Sequence, residues 1–421
     1  MYKSKIRSLA ASTTLLLILL QSACGFNKSG IVNESLLLPS GWKQPGEVIK
    51  GSSYSDYVSK VRQEVINSRI PFEAANTETE IGQVSPQEFL PTTQCQQTRG
   101  IAILVHGLSD SAFSMHDLAR TLSENCYIAR TALLPGHGTK PGDLLNTRLP
   151  DWIDTVHYLL QQASEEHHHV IAVGFSLGAV LTMAEAIKPD SPVDAIVTVS
   201  PAFYLTTSPY AELTRWIAPF KRWLDKEAPD DTYRYEAIPT VAVVETVKAI
   251  RRFHRLLDDA NPINLPWLLV QSVDDLVVRT RDNEQLFIDQ AKHPESLSIT
   301  FVGKMADLAN SNSANATKDG RLLKVAGYNE QHRVSGLTHV AIHQAPDNSH
   351  YGENGDYRNC GVGGPRKRSA VQQCQQAEDL WSGPWNGKAP DNGAYAISTY
   401  NPNYDLLARY LSKFLTESSA K

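Results

Sequence analysis

The sequence predicts an α/β architecture: a mostly parallel sheet flanked by helices and carrying a helical insertion. Short continuous apolar runs recur from residue 101 onward, segments of helical spacing alternate with them, and no internal repeat is visible. The run Ile101-Ala102-Ile103-Leu104-Val105 is apolar at every position, as a strand buried on both faces requires. With 421 residues, 42% of them hydrophobic, the chain has material for one large core. A net charge of -5 supplies no basic stripe, so no nucleic-acid partner is expected.

Residues 1–23 read as a signal peptide. Lys3, Lys5 and Arg7 precede the apolar run Leu15 to Leu20, and Gln21-Ser22-Ala23 offers small residues for cleavage. The run is shorter than the roughly 20 residues of a membrane span. Cys24-Gly25 follows and resembles a bacterial lipoprotein signal, which implies lipidation of Cys24 and a membrane anchor. Gln21 stands where such signals usually carry Leu, and simple secretion after Ala23 is the alternative. Both readings export the chain, as a bacterial membrane lipoprotein or as a periplasmic or secreted protein. The other four cysteines, Cys95, Cys126, Cys360 and Cys374, then lie in an oxidising compartment that permits disulfides, with three possible pairings.

Residues 24–97 read as a tether and helical lead-in. The stretch from 25 to about 50 lacks periodicity, and Tyr57, Val58, Val61, Val65 and Ile66 make an apolar stripe on a helix from Tyr54 to Ser68. The main domain is expected over 98–421. Strands are expected at Ile101–Val105, Tyr127–Leu134, Val170–Val173, Ala195–Val199, Trp267–Val270 and Leu297–Phe301, and helices at Phe113–Leu122, Leu149–Gln162 and Leu177–Ile187. Two insertions interrupt the rhythm. Residues 203–260 are helical and aromatic, with Trp216, Phe220 and Trp223, whereas 304–334 are mostly polar, with a loop at Asn310–Asn315. A last helix over Tyr404–Leu415 presents Leu407, Tyr410, Leu411 and Phe414 on one face, suited to covering the sheet.

Gly174-Phe175-Ser176-Leu177-Gly178 fits a G-x-S-x-G turn. The serine of such a turn sits at a strained junction of strand and helix, where bulky neighbours two residues away would clash. At ordinary Gly and Ser frequencies the pattern arises by chance in about one chain in eight of this length, so its specificity comes from context. The context fits: a buried strand precedes it and a helix follows. The Leu177 N–H then lies at a helix N-terminus, where it can meet an oxyanion. Upstream, His106-Gly107-Leu108 closes the first core strand. Leu108 is the candidate second donor, and His106 reads as a residue that holds its loop by hydrogen bonding.

The run from Ile101 to Val199 resembles the bacterial carboxylesterases and monoacylglycerol lipases of the α/β-hydrolase superfamily. The matching pieces are Leu104-Val105-His106-Gly107-Leu108, Pro135-Gly136-His137-Gly138, Asp151-Trp152 and Gly174 to Gly178, resuming at Trp267 to Val278 and around His339. The resemblance implies an α/β-hydrolase fold with a helical cap at 203–260, and a Ser–Asp–His order along the chain. Asp275 is the preferred acid, with Asp274 beside it as the alternative. The preferred base is His339, in Ser335-Gly336-Leu337-Thr338-His339-Val340, with His350 next and His332 and His343 as loop histidines. Two residues more than the family pattern separate Gly336 from His339. The family topology makes the strands after Cys95 and Cys126 neighbours and favours a Cys95–Cys126 bridge, leaving Cys360–Cys374 to close a loop in a tail at about 352–400.

These residues point to acyl transfer on small-molecule ester or lipid substrates, either short to medium acyl esters or monoacylglycerols, with no cofactor or metal. Trp216, Phe220 and Trp223 are candidates either to line an acyl pocket or to pack the cap on the sheet. His167-His168-His169 reads as solvated turn residues rather than metal ligands. The alternatives are a peptidase or transacylase using the same residues, or an exported binding protein that retains the fold.

Overall fold

The computed structural model describes residues 33–41, 52–207, 211–260, 262–303, 320–361 and 368–418. The expected signal peptide, Cys24 and the loop expected at Asn310–Asn315 lie outside the described residues.

Eight strands form one sheet in the order β1-β3-β2-β4-β5-β6-β7-β8. They are β1 (Glu88–Phe89), β2 (Gly100–Val105), β3 (Tyr127–Thr131), β4 (Val170–Phe175), β5 (Ala195–Val199), β6 (Trp267–Ser272), β7 (Leu297–Val302) and β8 (Leu322–Ala326). All neighbours run parallel except β1 and β3. Strands β9 (Trp381–Gly383) and β10 (Tyr395–Ile397) form a separate parallel pair in the tail. The helices are α1 (Tyr54–Ser68), α2 (Thr77–Val84), α3 (His116–Glu124), α4 (Leu149–Glu166), α5 (Leu177–Ala186), α6 (Thr214–Ile217), α7 (Thr240–Ala260), α8 (Thr280–Gln290), α9 (Arg368–Gln376) and α10 (Tyr404–Ser418). Among the described residues no helix is long and apolar enough to cross a membrane.

Alternation along each strand divides the core between two faces. Ile101, Ile103 and Val105 of β2 pack with Tyr57, Trp152, Val156, Val180 and Phe253, so α1, α4, α5 and α7 cover one face. Ala102 and Leu104 point the other way, into a cluster with Leu118 and Leu122 of α3 and Leu407, Leu411 and Phe414 of α10.

Three boundaries differ from the sequence expectation. The lead-in belongs to the domain: β1 extends the sheet, with Glu88 opposite Arg130, and Arg130 holds both Glu88 and Glu166 at 2.6 Å. Tyr54 Oη donates to Thr131 O at 2.8 Å, and Tyr57 Oη accepts from Leu133 N at 2.9 Å, seating α1 where β3 ends. A two-residue strand is too short to show periodicity. The segment 304–334 contains β8, paired with β7. As a half-exposed edge strand carrying Lys324, β8 lacks the apolar run that marks inner strands. Within 203–260, α7 is a layer helix of the sheet, burying Ala242, Val247, Ala249, Phe253 and Leu257, and Phe203 stacks on Phe253 at 4.4 Å. The cap proper therefore ends near residue 239.

Both disulfides pair as expected, Cys95 with Cys126 and Cys360 with Cys374. Leu411 lies 1% exposed between α10 and the sheet. Leu411→Ala is expected to cost about 2–5 kcal/mol, read as a lower urea midpoint. Arg409→Ala on the exposed face of α10 should stay within about 0.5 kcal/mol of the unsubstituted protein.

Candidate active site

Strand β4 passes into α5 through Ser176, whose backbone lies at φ +53° and ψ -114°. Non-glycine residues rarely adopt this conformation, and two close approaches hold it here. A Cβ on Gly174 would stand 2.4 Å from Ala179 Cα, and one on Gly178 would stand 2.1 Å from Val105 O. Ser176 N donates to Val199 O at 3.0 Å and Ser176 O accepts from Ala202 N at 3.2 Å, tying the turn to the end of β5. Leu177 is the first residue of α5, so its N–H has no acceptor within the helix.

The loop after β6 brings Asp275 to the same end of the sheet. Its Oδ1 accepts from the N–H groups of Val277 at 2.8 Å and Val278 at 3.2 Å, and its Oδ2 meets His339 Nδ1 at 2.7 Å. His339 Nε2 lies 2.9 Å from Ser176 Oγ. With the Nδ1 proton directed to the carboxylate, Nε2 is left to accept the serine proton. Asp274 faces elsewhere, its Oδ2 filling the space beside Gly303 and Gly336 where a Cβ would come within 2.0 and 2.4 Å.

The other histidines have separate partners. His332 Nδ1 pairs with Glu353 at 2.9 Å. His343 packs its ring 4.3 Å from Phe175, and burial pushes its pKa down to about 3. His350 Nε2 bonds Asp231 at 3.2 Å and its Nδ1 bonds Asp356, away from Ser176. His106 donates from Nδ1 to Gly107 O at 2.8 Å and accepts at Nε2 from Leu134 N at 3.0 Å. Burial holds its pKa well below the usual histidine range, so it stays neutral and braces the loop. The Pro135-Gly136-His137-Gly138 and Asp151-Trp152 pieces extend this brace. Trp152 Nε1 donates to Pro135 O at 3.0 Å, and His137 Nε2 accepts from Ser109 N at 3.2 Å, next to Leu108.

Tail residues hold the loop that carries His339. Ser335 N donates to Ser382 O at 2.7 Å, and Thr338 donates its N–H to Ser398 Oγ (3.0 Å) and its hydroxyl to Ser398 O (2.7 Å). Asn401 Nδ2 donates to Ile342 O at 3.0 Å on the far side of the histidine. Sequence reasoning did not find Ser382, Ser398 or Asn401. Most of these contacts end on backbone atoms, which leave no residue pattern to read.

A family model described as serine aminopeptidase, S33 (Hydrolase_4) matches residues 96–300. The chain is 27% identical over 191 residues to a thermostable monoacylglycerol lipase from Bacillus sp. (strain H-257), covering 44% of this chain and 74% of that protein. It is 24% identical over 190 residues to a carboxylesterase from Bacillus subtilis (strain 168), covering 42% and 73%. The fold is that of an α/β-hydrolase, and these matches make the chain similar to esterases and lipases of that fold. Among solved structures, a soluble variant of monoglyceride lipase from Saccharomyces cerevisiae aligns over 52% of this hydrolase and 82% of its own chain, with a TM-score of 0.46 and 13% identity.

The cap aromatics of this hydrolase do not form an acyl pocket. Trp216 and Phe220 are 64% and 92% exposed, and Trp223 packs on Leu145 and Ala237. Among the described residues no group of three or more His, Cys, Asp or Glu converges as a metal would need, the His167-His168-His169 run included.

Beside the oxyanion loop, Asp110 is buried and its carboxyl is pushed up to about 7; burial is the main cause, opposed by Arg234 and assisted by Asp231. Its folded pKa exceeds its unfolded value, so folding takes up a proton between about pH 4 and 7, and the fold loses stability as pH rises through that window. Asp110→Asn, which keeps an acceptor for Ser111 N, is expected to raise the melting temperature at pH 8, with the gain vanishing near pH 4. An equal gain at both pH values would contradict an ionisation cost at Asp110.

Proposed function

We propose that this chain hydrolyses carboxylic esters, either short to medium acyl esters or monoacylglycerols, through Ser176, His339 and Asp275. The observation that carries the reading is the continuous hydrogen-bonded line Asp275–His339–Ser176 at 2.7 and 2.9 Å, ending at a strained serine. In this reading Ser176 Oγ attacks the ester carbonyl as its proton passes to His339 Nε2, while Asp275 stabilises the imidazolium. The N–H groups of Leu108 and Leu177 receive the developing oxyanion. Collapse breaks the carbon–oxygen bond, the leaving alkoxide takes the proton from Nε2, and an acyl-serine remains. Water, deprotonated by the same nitrogen, then releases the acid and restores Ser176.

The named activities of the two Bacillus relatives support esters as substrates. The description of the matching family model favours a second reading, hydrolysis of an N-terminal peptide bond by the same residues. A panel of p-nitrophenyl acyl esters and aminoacyl p-nitroanilides separates the two. We expect turnover of the esters, loss of that turnover in Ser176→Ala, and a fall of about 10⁴-fold in kcat for Asp275→Asn. Asp274→Asn should stay within about tenfold. Faster cleavage of the anilides would favour the peptidase, and equal activity in Ser176→Ala would remove both.

We further propose that the chain is exported and held at a membrane through a lipid on Cys24, a reading supported by the n-region, the apolar run and Cys24-Gly25. Cys24→Ser is expected to shift the protein from the membrane to the soluble fraction. Unchanged membrane association would refute the anchor.

A further inference from the structure

A cavity of about 230 Å³ opens beside His339, and its walls come from the Asp275 loop, the His339 loop and the tail, with Arg234 added from the segment before α7. Leu276 and Val277 come from the loop of Asp275, Val340 adjoins His339, and Trp385 and Ile397 come from the tail. The tail that supplies Trp385 and Ile397 lies outside the family match at 96–300. Strands β9 and β10 fix it: Ser398 N donates to Gly383 O at 3.0 Å just before Trp385, and Ile397 N donates to Asn359 O at 2.8 Å.

The position of the cavity decides which half of an ester it serves. His339 Nε2 must protonate the leaving oxygen, so the group bonded to that oxygen has to lie on the histidine side of Ser176. The cavity is lined by Thr338, His339 and Val340 and includes neither Leu108 nor Leu177. It therefore borders the histidine rather than the candidate oxyanion donors, on the side to which a leaving group must turn for its proton.

The lining decides the chemistry. Three polar side chains besides Thr338 and His339 contribute, and each is engaged. Arg234 faces Glu236 at 3.4 Å and Asp231 at 3.9 Å, Asn359 Oδ1 accepts from Gly361 N at 3.1 Å, and Asp274 packs against Gly303 and Gly336. An anionic group would find the one cation already matched by two carboxylates, and a polyol would bury hydroxyls among aliphatic and indole surfaces. Resting on the ester-hydrolase reading above, we propose that this tail-built cavity is the subsite for the alcohol half of the substrate, selecting aryl and alkyl alcohols over glycerol, with Trp385 as the residue that sets the preference.

The test holds the acyl group constant and varies the alcohol, using the full chain with benzyl, butyl and glyceryl butyrate. The unsubstituted protein is expected to show a kcat/KM for benzyl and butyl butyrate at least about tenfold above that for the glyceryl ester. Trp385→Ala should lower the benzyl value by about tenfold and leave the glyceryl value within about twofold, while Trp385→Phe retains most of the benzyl activity. Free benzyl alcohol should also inhibit the unsubstituted protein at least about tenfold more strongly than glycerol, a measurement that stands if Trp385→Ala fails to fold. Glyceryl butyrate cleaved as fast as the benzyl ester, or equal losses for all three esters in Trp385→Ala, would overturn the subsite alone. Turnover of no ester, with Ser176 still labelled by a fluorophosphonate, would overturn the ester-hydrolase reading and the subsite with it.

Discussion

The backbone of Ser176 stands in a conformation that costs about 1–3 kcal/mol wherever it is imposed on a non-glycine residue. It persists because β4 and α5 are pressed against their neighbours too closely for any relaxation: Val105 O and Ala179 Cα occupy the space that side chains at 178 and 174 would need. The parallel neighbours β2 and β5 are clamped on the same turn, through His106 and Gly107 on one side and Val199 and Ala202 on the other. Two apolar clusters, one on each face, keep those strands in register. Polar side chains meet at this end of the sheet because it is where parallel strands hand over to loops.

The loops that complete the site differ in how they are held. The Asp275 loop is short and self-contained, its carboxylate pinned by the N–H groups of the next two or three residues. The His339 loop has an internal turn, Ala341 N to Thr338 O at 3.2 Å, and takes further support from the tail through Ser382, Ser398 and Asn401. Ser176 and Asp275 of the candidate triad therefore lie within residues 96–300, and His339 is held in part by the tail. The Cys360–Cys374 bridge starts beside Asn359, whose O accepts from Ile397 N of β10, so the covalent link and the histidine's support lie in the same segment.

The inner strands were legible because burial on both faces demands an apolar residue at every position, as in Ile101 to Val105 and Val170 to Val173. The elbow was legible because two glycines and a serine at fixed spacing answer one steric demand. The edges were not: β1 has two residues and β8 is half exposed, so neither had to show a pattern. The choice of Asp275 over Asp274 rested on spacing, and the structure separates them by direction, one towards His339 and the other into the gap beside two glycines. Helix α7 read as part of the cap because it follows the aromatic stretch without a break. Only its packing on α5 and Phe203 distinguishes a layer helix from an insertion. The tail was illegible for a different reason, since each of its bonds to the His339 loop has a main-chain atom at one end or both, and single polar side chains such as Ser398 and Asn401 leave no periodic pattern.

Helix α10 covers the face of the sheet formed by β2, β3 and β4, and Tyr404 Oη meets Thr121 Oγ1 at 2.9 Å across 283 residues of chain. In chain order that helix follows all eight strands of the sheet. Until residues 404–418 dock, Leu104, Ala129 and Val173 present apolar surface to water on the uncovered side. A chain whose sheet has formed thus keeps part of one face open until this helix docks, which makes the docking of α10 the step that completes the core.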